Sequence, residues 1–314
     1  MRFGVAIRSS VIPGLPASER GEELRRLALA AEEGGFDSIW VPDRTVFPTD
    51  ISTRYPDRYG ASGSIPDSQQ VLEPVTAMSF LAGSTNRIKL GFNVLVLPFR
   101  NPVLNAKMVT TLDVLSGGRV IFGVGVGWMP EEFEAMSASY ADRGALTDEH
   151  IEMFKALCTG EVAEYDGRHF SISERVFYPK PLQRPHPPIW IGGKSRAALR
   201  RVARLGDGWL PIGLTPDEVA KGGEALRRLC DEAGRDPGTA KLGLNMSMNI
   251  GEPQRLPGGE RVPLTGQASD IIDDVRRYRD AGLELMVISM TGMDSGNSLD
   301  GMKRFAEEVA PKFS

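Results

Sequence analysis

Short runs of branched and aromatic residues alternate along the chain with longer stretches in which apolar residues recur every three or four positions. The runs at Phe3–Ile7, Ser38–Val41, Ile88–Val96, Val120–Val124, Pro188–Ile191, Gly208–Ile212, Lys241–Ile250 and Leu285–Ser289 predict eight strands. The spacing between them predicts amphipathic helices. Leu24, Leu27, Ala28 and Ala31 form one apolar stripe, and Val103, Ala106, Val109 and Leu112 form another. The second stripe begins after Pro102, a favoured first helical residue, and Ser116-Gly117-Gly118 suits a glycine C-cap at its end. Strands that alternate with helices predict a parallel sheet, either an open one or a closed barrel.

The connections decide between the two. Helix-to-strand links are short, as at Gly34-Gly35-Phe36-Asp37, Thr85-Asn86, Gly206-Asp207 and Ala281-Gly282. Strand-to-helix links are often long: Pro42 to Gln70, Gly125 to about Asp148, Gly251 to about Ala268, and Thr291 to Ser298. All the elaboration is thus expected on one face. In a (β/α)8 barrel that face, at the C-terminal ends of the strands, carries the active site. The expected fold is an α/β (β/α)8 TIM barrel forming a single domain over 1–314, with insertions at the C-terminal face. The loops at about 42–70 and 251–268 are expected to act as lids that set substrate choice.

Bulk composition narrows the function. Apolar residues make up 41% of the chain and charged residues 25%, an ordinary globular balance. A net charge of −4 with no basic block argues against nucleic acid as a partner. Cys158 and Cys230 lie far apart, which argues against a disulfide framework or zinc site and fits a reducing cytoplasm. The start, MRFGVAIRSS, is too short and mixed for a signal peptide, and no apolar run approaches the roughly 20 residues that span a bilayer. A soluble, cytoplasmic protein with no membrane partner is expected. His150, His169 and His186 do not pair at ligand spacing, and no HExxH, DxD cluster or GxSxG occurs, so no metal site is expected. Asp113 and Arg119 are expected to form a structural ion pair.

Candidate chemistry gathers at strand ends. Gly123-Val124-Gly125-Val126-Gly127-Trp128 lacks the last glycine and the later acid of a dinucleotide fingerprint. It suits either a tight turn at a crowded rim or a surface where peptide N–H groups meet a flat or anionic ligand. Gly192-Gly193-Lys194-Ser195 runs into the helical Arg196–Arg204. A helix start with a serine cap and a lysine beside it suits a phosphate, and otherwise is an ordinary capped helix. Asn93-Val94 interrupts an apolar strand, as a core amide, a bulge or a shaped cofactor seat. Asp43 and Arg44 end the second strand. They are candidate catalytic residues, placed to orient a substrate or carry a proton, or else a surface ion pair.

These segments together resemble the bacterial luciferase-like monooxygenase superfamily, and most closely its branch that uses the deazaflavin coenzyme F420 rather than FMN. The likeness rests on FDSIWVPDR (36–44), RIKLGFNVLVLPFRNPVLNAK (87–107), TLDVLSGGRVIFGVGVGW (111–128), YPKPLQRPHPPIWIGGKS (178–195) and ALRRVARLGDGWLPIG (198–213), in order along nearly the whole chain. The resemblance implies a (β/α)8 barrel, commonly a homodimer. It implies a non-proline cis peptide at Asn93–Val94 backing the cofactor ring. It implies a cofactor loop at Gly125, Gly127 and Trp128, a phosphate loop at Gly192, Gly193, Lys194 and Ser195, and an acidic site position at Asp43. Two departures stand out. Asp-His at the second strand of many F420 enzymes is here Asp43-Arg44, and the glutamate that follows the fourth-strand glycines in sugar-phosphate dehydrogenases is here Trp128. Oxidation of a sugar phosphate is therefore not expected.

The expectation is an F420-dependent oxidoreductase that transfers a hydride to or from a small organic substrate. The alternatives are a two-component FMN monooxygenase fed by a partner reductase, and a flavin-binding protein without catalysis.

Overall fold

Eight parallel strands close on themselves, and helices cover the outside. The computed structural model describes residues 1–7, 15–56, 71–290 and 295–313, with side chains of the last segment from Ser298. The barrel strands are, in chain order, Arg2–Ala6, Ser38–Val41, Lys89–Phe92, Val120–Gly125, Ile189–Gly192, Gly208–Leu210, Lys241–Ile250 and Leu285–Met290. Each pairs in parallel with its sequence neighbours. The ring closes where Arg2–Val5 of the first strand meet Leu285–Ile288 of the last. The (β/α)8 barrel expected from the alternation of elements is the observed fold.

The helices form where the apolar stripes predict them. Arg20–Glu33 buries Leu24, Leu27, Ala28 and Ala31. Pro102–Leu115 buries Ala106, Val109 and Leu112, and its N-cap Asn101 accepts from the Val103 and Leu104 N–H groups. Inside the barrel two indoles fill the space. Built at Gly4 or Gly91, a Cβ would lie 2.6 or 2.4 Å from the Trp40 ring; at Gly208 or Gly243 it would lie 2.5 Å from the Trp190 ring. Glycine at these positions is what lets the rings lie flat against the strands. With Ile121, Leu210, Leu285 and Val287 they make a solid plug.

The third strand carries the irregularity that Asn93 suggested. It pairs with the fourth at Gly91 and Ile121, and again at Leu95 and Val124. The third strand thus advances one residue more than its partner, which is a β-bulge. The Asn93–Val94 peptide within it is cis, as the resemblance implied.

Two expectations need correction. Elaboration is not confined to one face. Between the helix Arg143–Thr159 and the fifth strand, a helix-to-strand link, Val162–Asp166 and Ser171–Val176 form an antiparallel hairpin. Its residues are mostly exposed and polar, so it lacks the apolar run of a barrel strand. Glu149 of the helix anchors it by accepting from the His169 and Phe170 N–H groups. Nor do Asp113 and Arg119 pair. Asp113 accepts from the backbone and side-chain amides of Gln183, while Arg119 donates to the Ala82, Thr85 and Ile88 carbonyls. Both are structural, each satisfying a different set of buried backbone groups.

The insertion at 251–268 folds back on the barrel. Thr265–Gly266 pairs in parallel beside Asn249–Ile250 at the end of the seventh strand, and Asp274 holds Arg261 at two points and the Leu264 N–H.

Candidate active site

Above the Trp40 and Trp190 plug, the C-terminal ends of strands two to six enclose a cleft of about 270 Å³. Asp43, Arg44, Asn93, Val94, Gly125, Gly127, Trp128, Gly192 and Gly193, singled out separately from the sequence, all line it. Lys194 and Ser195 are the next residues outward, exposed at the rim. The walls are largely apolar, with Val96, Val126, Leu210 and Ile212 among them.

Val94 explains two of the glycines. A Cβ at Gly125 would lie 2.3 Å from Val94 Cγ2, and one at Gly192 would lie 2.8 Å from its Cγ1. The bulge thus pushes one branched side chain between two strand ends, and those ends must be bare to receive it. Gly127 has a positive φ of 78°, and a Cβ there would meet Phe133 at 2.7 Å. Close packing is therefore sufficient reason for these glycines, whatever the cleft binds. Gly193 differs. Its φ is 97°, and a Cβ there would meet nothing nearer than Ala198 at 3.4 Å, so the backbone conformation, not crowding, calls for glycine.

Beyond Gly193 the chain enters the helix Arg196–Leu205. Ser195 caps it, accepting from Ala198 N at 3.2 Å. Trp209 Nε1 donates to the Gly193 carbonyl at 2.7 Å and fixes the turn. The first N–H groups of the helix have no intrahelical acceptor, its first turn holds no acidic residue, and Lys194 stands beside it. This end of the cleft can receive an anion.

Asp43 and Arg44 do not pair with each other. Asp43 is 5% exposed and accepts from Arg100 at 2.5 and 3.1 Å and from Val96 N at 2.8 Å. Its charge is compensated by Arg100, so it serves as scaffold for the bulge rather than as an uncommitted base. Arg100 also reaches Glu73 at 3.0 Å. Arg44 donates from Nη1 to Glu132 Oε2 at 2.7 Å and stacks over Trp128 with its guanidinium carbon 4.9 Å from the ring centre. Glu132 is fully buried and also accepts from Thr45 N at 3.0 Å. Burial raises its carboxyl above the ordinary range, against the opposing pull of Arg44. Asn93 Oδ1 is buried without a hydrogen-bond donor among the described residues.

Two residues of the 42–70 loop reach the segment that follows the fourth strand. Tyr55 meets Trp128 edge to face at 5.0 Å and donates to Glu131 at 3.0 Å, and Arg54 donates to the same carboxylate at 2.6 Å. Arg58 and Tyr59, expected in the same lid, lie outside the described residues. None of residues 251–268 lines the cleft.

Sequence reasoning missed Arg100, Glu131 and Glu132. Glu131 and Glu132 follow Pro130 directly after the fourth-strand glycine run, in the first turn of the helix Pro130–Ala135. Two acids at the barrel mouth were the available signal. Arg100 sits inside the apolar stretch LVLPFRNPV, where a single cation invites a buried partner. Among the described residues no cluster of His, Cys, Asp and Glu could hold a metal ion, and no helix is long and apolar enough to cross a membrane.

Comparison with known proteins places these features. The family model described as luciferase-like monooxygenase matches residues 1–255. An uncharacterized protein of Mycobacterium tuberculosis is 37% identical over 209 residues, covering 67% of this chain and 72% of its own. Among solved structures, the monooxygenase RslO1 from Streptomyces bottropensis superposes with a TM-score of 0.80 at 22% identity over 100% of both chains. An F420-dependent secondary alcohol dehydrogenase in complex with an F420–acetone adduct superposes with a TM-score of 0.77 at 17% identity over 98% of each. At such identities the structures share the fold. The matched model covers most of the sequence, and the chain belongs to the luciferase-like monooxygenase family.

Proposed function

We propose that this protein is an oxidoreductase that seats coenzyme F420 in the cleft and exchanges a hydride with a small organic substrate. The carrying observation is the continuous seat made by three strand ends: Val94 as a branched support, the bare backbone of Gly125 and Gly192 around it, and the capped helix start at Ser195. Asn93 Oδ1, buried and without a donor, fits this reading, because the imide N–H of a deazaflavin or flavin ring can supply one. The anion-receptive helix end, with Gly193 and Lys194, fits a cofactor phosphate.

When bound, a deazaflavin supplies hydride transfer, whereas a reduced flavin activates oxygen. The chain's own residues do the rest. Val94 backs the ring, and Trp128 walls the cleft. Asp43 holds the bulge in place through Val96 N and Arg100. Arg44 faces the substrate. Tyr55 and Arg54, latched to Glu131, cover the mouth and exclude water. A homodimer, and a separate enzyme that regenerates reduced cofactor, belong to the same proposal.

Support for F420 comes from the fold-sharing F420-dependent alcohol dehydrogenase and from the sequence blocks quoted above. The monooxygenase RslO1 favours a second reading, a two-component FMN monooxygenase. Titration with purified F420 and with FMN tests the first reading: F420 is expected to bind, and tight FMN binding without F420 binding refutes it. Oxygen consumption with reduced FMN over a substrate panel tests the second. Absence of any turnover with either cofactor would leave binding without catalysis.

A further inference from the structure

The polar groups of the cleft are not equivalent. Asp43 is neutralised by Arg100, and Asn93 presents a lone acceptor. Among the described residues, Arg44 is the cation that lines the cleft, and its side chain is 16% exposed. Glu132 holds only its Nη1. Among the described residues, Nε and Nη2 of Arg44 have no acceptor. Those two nitrogens form one edge of the guanidinium, with parallel N–H bonds spaced to meet both oxygens of a carboxylate. Stacking on Trp128 and the Glu132 contact restrict rotation of the plane, so the edge is fixed before a ligand arrives. Glu132 is itself held by Thr45 N and shut away from solvent. The surrounding walls, Val96, Val126, Leu210 and Ile212, favour an organic body.

We propose that the substrate carries a carboxylate and that the Nε/Nη2 edge of Arg44 grips it. The inference rests on reading the cleft as the place where cofactor and substrate meet, and it names the substrate class for that site. Binding would orient the organic body along the apolar wall, with its acid group at the Trp128 end.

The test compares acids with their neutral amides: benzoate with benzamide, and hexanoate with hexanamide. Each is titrated calorimetrically into the F420-loaded protein. At least one acid should bind tenfold or more tightly than its amide. Arg44→Gln should erase that preference, and Arg44→Lys, which keeps the charge but not the fork, should retain only a small part of it. Thermal unfolding of both variants controls for folding, and F420 affinity should change by less than twofold. The proposal is overturned if no acid is preferred, or if the preference survives in Arg44→Gln. It is also overturned if Arg44→Gln loses F420 affinity and leaves acid discrimination intact, which would assign Arg44 to the cofactor. Failure of F420 to bind sinks the preceding reading alone, because the acid–amide comparison is then made on unloaded protein.

Discussion

Asp43 and Arg100 meet at two points, 2.5 and 3.1 Å apart, and the same carboxylate accepts from Val96 N at 2.8 Å. This contact ties the end of the second strand to the residue that resumes the third strand after the Asn93–Val94 bulge. Asp43→Ala should therefore destabilise the fold. Removing one partner of a buried pair costs about 3–5 kcal/mol, and the low end applies here because Glu73 still reaches Arg100. Urea unfolding measures it. Cofactor affinity should fall in parallel. An unchanged unfolding midpoint with lost turnover would instead make Asp43 a direct participant in chemistry.

Val94 and Gly125 should behave as a coupled pair. Gly125→Ala brings a methyl within 2.3 Å of Val94 Cγ2. Overpacking of this kind costs about 1–3 kcal/mol, and F420 affinity should drop at least tenfold because the seat shifts. Adding Val94→Ala should restore most of the lost stability. A double-mutant cycle gives the coupling, and additive losses would mean that the two side chains do not meet.

Glu32 makes stability depend on pH in the acid range. It accepts from the Asn86, Arg87 and Ile88 N–H groups ahead of the third strand. Burial pushes its carboxyl up, but the three backbone donors outweigh it and hold the value below the ordinary range. The folded value lies below the unfolded one, so its contribution is complete above the unfolded value and disappears as pH falls through the folded one. Glu32→Gln should lose about 1–3 kcal/mol at pH 7 and little at the acid end of that window. Denaturant melts at several pH values check the sign.

His150 acts in a different window. It is buried against Phe170, ring centres 4.9 Å apart, with neither ring nitrogen hydrogen-bonded among the described residues. Burial lowers it to about 4. The unfolded chain takes up the proton first, so stability falls as pH drops from about 6.5 toward 4, by about 3 kcal/mol at the lower end. His150→Phe should flatten that slope. A slope that persists in the variant would assign the acid sensitivity to other groups.

How much of this was legible depended on sequence distance. The strand positions and the apolar stripes at 24–31 and 103–112 follow from local periodicity, and the structure sets those stripes in the helices 20–33 and 102–115. Asn93 marked the bulge because an amide in an apolar strand is locally anomalous. Nine of the residues that line the cleft, Asp43, Arg44, Asn93, Val94, Gly125, Gly127, Trp128, Gly192 and Gly193, were visible as unusual strand ends. Their partners were not. Arg100 lies 57 residues from Asp43, and Glu132 lies 88 from Arg44, and no local pattern encodes such pairings. The hairpin at 162–176 escaped for the opposite reason. Its strands are mostly exposed, so no buried face imposed an alternation on them. The bare residues at 125 and 192 suggested a ligand, yet the immediate neighbour that requires them is Val94.

The paired indoles of Trp40 and Trp190 stopper the cylinder from below. Anything that enters can therefore descend only as far as that aromatic floor, and its approach is one-sided. New specificities can arise by exchanging the parapet of loops above, while the lower storey goes on carrying the thermodynamic burden undisturbed.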